Sequence, residues 1–245
     1  MGVILTPIIT MRGTSTMSEL TGVLALAAMG VGALHTLAPD HWVPFAALAR
    51  ARGWSRGRTA RITAACGFGH VTVSVLLGVL ALVFGLEVLR LVGQRMEAIA
   101  GLLLIGFGLA YGLVGLRRAI RSHAHAHDHH HHGHHHHHGH LCRGHAHGTR
   151  DMDTLTPWTL FLLFSADPCV AVIPILFAAA PLGAWRTTLV VGAYELATIA
   201  TMVVLVLPAR EAAARVRGPW AVRFGDATAG AVIASVGVLV AVLGW

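Results

Sequence analysis

Long apolar runs separated by short polar segments dominate the chain. A run of about 20 apolar residues matches the thickness of a bilayer's hydrocarbon core. The pattern therefore predicts an all-α integral membrane protein with six transmembrane helices, surrounded by the lipid bilayer. The six predicted spans are 20–48, 62–85, 98–116, 156–182, 187–208 and 224–245.

The two halves of the chain share a pattern that predicts a 3+3 inverted repeat. Each half begins with a helix interrupted by a proline beside an acid, at 34–49 and at 164–181. The next helix of each half has a glycine-containing stretch that ends in a polar residue, GFGH at 67–70 and GAYE at 192–195. Matching interrupted helices are typical of the substrate site in secondary transporters. The predicted parts are an N-terminal segment 1–19, a first three-helix repeat 20–121, a His-rich loop 122–155 and a second three-helix repeat 156–245.

Composition and charge support membrane insertion and indicate an orientation. Of the 245 residues, 55% are hydrophobic and only 12% are charged, whereas soluble domains average about 25% charged residues. All 18 basic residues are arginines, and 14 of them lie in or beside three loops, at 49–61, between the two halves and at 209–223. Because such loops stay in the cytoplasm, both termini are predicted outside a cell inner (plasma) membrane. The arginines do not form a basic face for nucleic acid.

The segment 122–148 holds 15 of the 18 histidines and is predicted to be a disordered cytoplasmic loop, because it is polar and low in complexity. Neutral imidazole suits nickel, cobalt, zinc and copper, so the loop is expected to collect metal with poor selectivity. The metal-collecting residues are His123, His125, His127, His129, His130, His131, His132, His134, His135, His136, His137, His138, His140, His145 and His147.

Ionisable side chains inside the predicted spans are the candidate site. An acid at a helix centre costs about 2.5–3.5 kcal/mol on insertion scales, so several of them together require a function or a partner. Imidazole nitrogen with carboxylate oxygen is a ligand set for a borderline divalent cation, whereas oxygen alone suits calcium or magnesium. The candidate metal ligands are His35, Asp40, His41, His70, Asp167, Glu195 and, beside a proline, Cys169.

Prolines are expected to break two helices at these residues. His35 and His41 are six residues apart, which places them about 120° apart around a regular helix. Pro39 removes a backbone donor and disfavours helical geometry in the residue before it. A break there would let both histidines and Asp40 converge, and Pro168 is expected to break the matching helix of the second half.

The segment His35-Thr-Leu-Ala-Pro-Asp40-His41 is a His-x4-Asp-His motif, and Gly69-His70-Val-Thr-Val follows in the next helix. These motifs resemble the nickel/cobalt transporter family, and the His-rich loop is similar to that of its efflux branch. The resemblance implies that the three histidines and Asp40 recognise the metal. The second half departs from the family's uptake permeases, because only Asp167 matches their Leu-Gly-x-Asp-Thr-Ala-Thr-Glu segment.

The expected function is therefore secondary transport of a divalent transition metal, nickel or cobalt, with efflux favoured over import. Protons are the expected coupling ion in an alternating-access cycle, because protonation and metal binding compete at histidine and carboxylate atoms. No tightly bound cofactor is expected. An enzyme is not expected either, because the chain has no His-Glu-x-x-His and no nucleophile elbow.

Several alternatives stay open at this point. The chain could be an uptake permease, or a membrane anchor whose His-rich loop stores metal. It could also be a thiol-relay protein of the cytochrome-biogenesis type, in which Cys169 would pair with Cys66. The sequence does not separate nickel from cobalt or zinc, and it does not give the oligomeric state.

Overall fold

A computed structural model describes residues 5–84, 86–124, 150–167, 169–215 and 218–243. This part of the chain is all-helical and contains no strand. Most of the predicted disordered loop, 125–149, falls outside the described residues, but its two ends, 122–124 and 150–155, belong to the flanking helices, so the prediction of a loop is wrong there. The helices are α1 (Leu5–His35), α2 (Pro39–Ala51), α3 (Arg56–Phe84), α4 (Leu86–Ala124), α5 (Arg150–Ser165), α6 (Val172–Ala179), a 3-10 turn (Ala180–Leu182), α7 (Ala184–Arg215), α8 (Pro219–Arg223) and α9 (Gly225–Leu243).

Five of the described helical segments are long and apolar enough to cross a membrane: 16–35, 56–84, 99–121, 184–215 and 225–242. The predicted fourth span, 156–182, is instead divided into the shorter helices α5 and α6. The described part of the chain thus has the helices of a multi-pass membrane protein, with five continuous candidate spans, and the sixth span remains a prediction. The inverted repeat remains a prediction.

The predicted break in the first helix is confirmed. Helix α1 ends at His35, and α2 begins at Pro39, whose missing N–H is not needed in a first helical turn. Ala38 has the extended backbone (φ −57°, ψ 132°) that a following proline favours. Asp40 follows in the first turn of α2, where a negative charge complements the helix dipole.

Two glycines, Gly67 and Gly69, let the helices approach closely around this break. A Cβ atom on Gly67 would come within 3.1 Å of the Met202 sulfur on α7. A Cβ atom on Gly69 would come within 2.8 Å of the Phe161 ring on α5 and would also meet the Ser165 hydroxyl. Helix α3 is therefore held directly against both α5 and α7.

A polar cluster joins the end of α2 to α4 and α9. The Nε of Arg52 donates to the Tyr111 hydroxyl at 2.8 Å, and that hydroxyl donates to Oδ1 of Asp226 at 2.7 Å. The Nη1 of Arg118 lies 3.7 Å from Oδ2 of the same carboxylate. The C-terminal end of α2 is thus fixed, while its N-terminal end lies at the helix break.

Candidate metal site

Three histidines from three helices meet beside the break between α1 and α2. His35 ends α1, His41 lies in the first turns of α2, and His70 lies in the middle of α3. The ring centroids of His35 and His41 are 4.4 Å apart, and those of His41 and His70 are 5.3 Å apart. The break thus places two histidines together that a regular helix would direct to different faces.

The ring nitrogens of this group point to metal binding. Each histidine offers one nitrogen, and the three nitrogens lie within 4.8 Å of one another. The Nε2 atoms of His35, His41 and His70 are all buried, and none has a hydrogen-bond partner among the residues that the structure describes. Buried polar atoms are normally satisfied, so three orphaned nitrogens side by side require a ligand. Nitrogens bound to one tetrahedral ion at about 2.0–2.1 Å lie about 3.3 Å apart, a separation that modest side-chain rotations would reach.

The tautomer of His70 is fixed by the second half of the chain. Its Nδ1 lies 3.1 Å from the Phe164 carbonyl oxygen, which can only accept a hydrogen bond. Nδ1 therefore carries the proton, and the lone pair of Nε2 is left for a metal ion. This is the arrangement in which a second-shell acceptor orients a metal-binding imidazole.

Asp40 lies beside the histidines but is not one of the three converging groups. Its Oδ1 is 3.0 Å from Nδ1 of His41, which is within ion-pair distance although the angles are not those of a well-aligned hydrogen bond. Both side chains are buried, with residue exposures of 5% and 3%. The carboxylate is therefore placed to orient His41 and to offset part of the charge of a bound cation.

One wall of the site is aromatic. The Phe164 ring packs against the rings of His41 and His70, with centroids 5.8 Å and 5.2 Å away, and against Phe45 at 4.8 Å. Phe164 and Phe45 are buried, so this side of the site excludes water. The sequence gives no indication of this role, because a phenylalanine in an apolar helix resembles any other core residue.

The predicted ligands of the second half lie outside the three-histidine group. Cys169 has its own partners: its N–H donates to Oγ of Ser74 at 2.5 Å, and its sulfur lies 2.8 Å from the Tyr194 hydroxyl. Glu195 lines a separate cavity, and Asp167 is half-buried. Among the residues the structure describes, only the three histidines bring metal-ligating atoms together.

Two other predictions concern cysteines and the loop. Cys66 and Cys169 are both buried free thiols, and they belong to different hydrophobic clusters. The geometry therefore adds nothing in favour of a thiol relay between them. The side chains of the fifteen loop histidines lie outside the described residues.

Comparisons of the chain with protein-family models, with curated proteins and with solved structures gave no match. What the site can do is therefore argued from its own chemistry. Three neutral imidazoles with a carboxylate beside them suit a divalent ion of intermediate softness. With three protein ligands, such an ion keeps at least one position open for exchange.

Proposed function

We propose that this protein is a secondary transporter that moves a divalent transition metal, nickel or cobalt, out of the cytoplasm. The observation that carries the proposal is the set of three buried, unpartnered Nε2 atoms of His35, His41 and His70 inside an apolar helical protein. Polar groups at this depth are costly, and they usually mark the path of a substrate or an ion.

The position of the histidines favours transport over storage or anchoring. An anchor needs no polar residues between its helices, and a store requires only an accessible loop. Here the histidines lie at the end of one helix, at the start of the next and in the middle of a third, beside a helix break. Broken helices at a central site are what alternating-access transporters use to expose one site to either side in turn.

The ligand types favour nickel or cobalt over other classes of cation. Calcium and magnesium prefer oxygen ligands, and copper(I) prefers sulfur, whereas three imidazoles suit nickel, cobalt or zinc. The resemblance of the His-x4-Asp-His motif to the nickel/cobalt transporter family favours the first two.

The proposed direction rests on the His-rich loop and the arginine distribution. The loop lies between segments that carry arginines, which favours a cytoplasmic position where it would collect metal before export. Protons entering the cell would drive metal out, because metal must displace protons from its ligands.

Metal accumulation in cells tests the proposal. Cells would express the wild type, His41→Ala or a chain that lacks 122–148, and cellular nickel and cobalt would be measured with and without an uncoupler of the proton gradient. We expect the wild type to lower cellular metal, His41→Ala to have no effect, the loop deletion to keep partial export, and the uncoupler to abolish export.

Each other result has a defined meaning. Increased accumulation with the wild type would make the protein an uptake permease that uses the same site. Complete loss of function in the loop deletion, with His41→Ala unaffected, would favour a metal store. Export that continues undiminished after uncoupling would exclude proton coupling.

A further inference from the structure

Glu195 lies in a cavity of its own, apart from the three histidines. The cavity measures about 530 Å³ and lies between α3, α6, the 3-10 turn and α7. Its walls are mostly apolar, with Val75, Val79 and Leu176 among them, and Glu195 is the only charged or titratable residue that lines it. Oε1 of Glu195 is buried and has no hydrogen-bond partner among the described residues.

The carboxylate also lies within the membrane-crossing part of its helix. Glu195 follows Arg186 by nine residues and precedes Arg210 by fifteen on α7. These intervals correspond to about 13 Å and 22 Å along a helix, so the acid lies well inside the hydrocarbon region that the two arginines bracket. A charged acid at such a depth is costly, and intramembrane acids usually mark the path of an ion or a proton.

No other titratable group shares this cavity. Apart from Glu195 itself, the titratable and charged side chains of the described parts of α1, α2, α3 and α7 lie outside the cavity lining, and α6 carries none. On these helices they are Glu19, His35, Asp40, His41, Arg50, Arg56, Arg58, Arg61, Cys66, His70, Arg186, Tyr194, Arg210, Glu211 and Arg215.

A chain of hydrogen bonds begins at Tyr194, the residue before Glu195 on α7, and ends at the metal site. The Tyr194 hydroxyl contacts the Cys169 sulfur. The N–H of Cys169 donates to Oγ of Ser74, and that hydroxyl donates to the backbone carbonyl of His70 at 2.7 Å. All these side chains are buried, so the turn of α7 that carries Glu195 is tied by direct contacts to the helix turn that holds His70.

We propose that Glu195 is the proton-binding group of the transport cycle, at a site separate from the metal. The inference rests on the proposed function, and it replaces direct competition at the histidines as the main coupling step. With the site open to the outside, a hydronium ion gives its proton to the Glu195 carboxylate and becomes water. When the site opens to the cytoplasm, the carboxylic acid returns the proton to water, and metal then binds at the histidines and is carried outward.

Reconstituted full-length protein tests this role, with cobalt as the probe. Three quantities are measured for the wild type, Glu195→Gln, Glu195→Asp and His70→Ala: cobalt affinity in detergent, cobalt exchange between equal pH values, and cobalt uptake into vesicles with an acidic lumen. We expect Glu195→Gln to keep exchange within about twofold of the wild type and to bind cobalt about tenfold more weakly, because glutamine resembles the protonated acid and proton and metal binding are reciprocally coupled. Uptake driven by the pH gradient should fall at least tenfold in Glu195→Gln and should be largely restored in Glu195→Asp.

A second readout does not depend on transport. Cobalt binding should release protons from the wild-type protein, measured with a pH indicator in weak buffer, and Glu195→Gln should release about one fewer. Gradient-driven uptake at the wild-type rate in Glu195→Gln would overturn the proposal, and so would an unchanged proton count. Loss of both cobalt binding and cobalt exchange in Glu195→Gln would make Glu195 a metal ligand instead. Failure of the proposed function is distinct, because then the wild type itself would neither bind nor exchange cobalt.

Discussion

The chain has two helix interruptions beside an acid, one between α1 and α2 and the other between α5 and α6. They differ in whether the polar atoms at the interruption have hydrogen-bond partners. At the first interruption, the Nε2 atoms of three histidines converge without hydrogen bonds. At the second, the N–H and the sulfur of Cys169 are both occupied, by Ser74 and Tyr194. A helix break therefore creates room for a site, but unpaired lone pairs decide whether the site can bind an ion.

Removal of one imidazole should have the largest effect. We expect His70→Ala to weaken nickel or cobalt binding by about 100-fold or more, since a direct ligand matters more than the second-shell groups that contribute 10- to 100-fold. Titration of the purified protein with cobalt, followed by its visible absorption, measures this. Cys66→Ala, one turn earlier on α3 and equally buried, is the matched control and should bind normally. Equal affinities in the two variants would remove His70 from the site.

Substitution of Asp40 tests whether metal binding at the first interruption depends on the carboxylate. We expect Asp40→Asn to lower metal affinity by about 10- to 100-fold, because the carboxylate beside His41 orients the ring and offsets the charge of the cation. Calorimetric titration with nickel checks this. Glu211→Gln is the control, because the Glu211–Arg56 pair is largely exposed and should contribute little. An unchanged affinity in Asp40→Asn would mean that the histidines act without the acid.

The packing of α3 against α5 can be tested by adding a single methyl group. Gly69→Ala should destabilise the fold by about 1–3 kcal/mol, because the added methyl group meets Phe161 and Ser165 on α5. Gly106→Ala on α4 is the control: its Cβ would meet nothing within 4 Å, and alanine favours a helix by about 1 kcal/mol over glycine. Thermal unfolding in detergent should therefore rank the two variants on opposite sides of the wild type. If both variants unfolded at higher temperature than the wild type, α3 and α5 would be able to separate easily.

The smallest effect is expected at the second interruption. Cys169→Ser should leave metal affinity and transport within about twofold of the wild type, because the serine hydroxyl still donates and accepts hydrogen bonds and the backbone N–H remains. Metal flux in vesicles and cobalt titration are the measurements. A large loss of binding would show that the second interruption belongs to the metal site, and a large loss of transport alone would reopen the thiol-relay interpretation.

Much of the first half could be predicted from its residues. Pro39 predicted the break, and the break placed His35 against His41, as expected from proline chemistry alone. The apolar runs predicted an all-helical membrane protein. The division of 156–182 into two helices was expected at Pro168, and whether α5 and α6 together form the sixth span stays a prediction, because composition reports the apolar length of a segment and not its continuity.

The remaining parts of the site depend on contacts that a sequence does not encode locally. The acceptor for His70 is a backbone carbonyl 94 residues away, and every residue type carries such a carbonyl. Likewise, Cys169 and Glu195 have the residue types of ligands, but their positions depend on how α6 and α7 pack against α3. Residue type identifies which atoms can bind metal, whereas tertiary packing decides which of them are left unpaired.

The fixed end of α2 has a mechanical consequence. Arg52 holds that end to Tyr111 and, through it, to Asp226. His41 lies near the other end, ten residues before Ala51, the last residue of α2. A helix of 13 residues is about 20 Å long, so a tilt of about 10° around the fixed end displaces the far end by about 3 Å. That displacement exceeds the length of a metal–nitrogen bond, about 2.0–2.1 Å. A tilt of α2 around its fixed end would therefore change the distance of His41 from His35 and His70 by more than one coordination bond, so all three histidines could hold the same ion only while α2 keeps its angle.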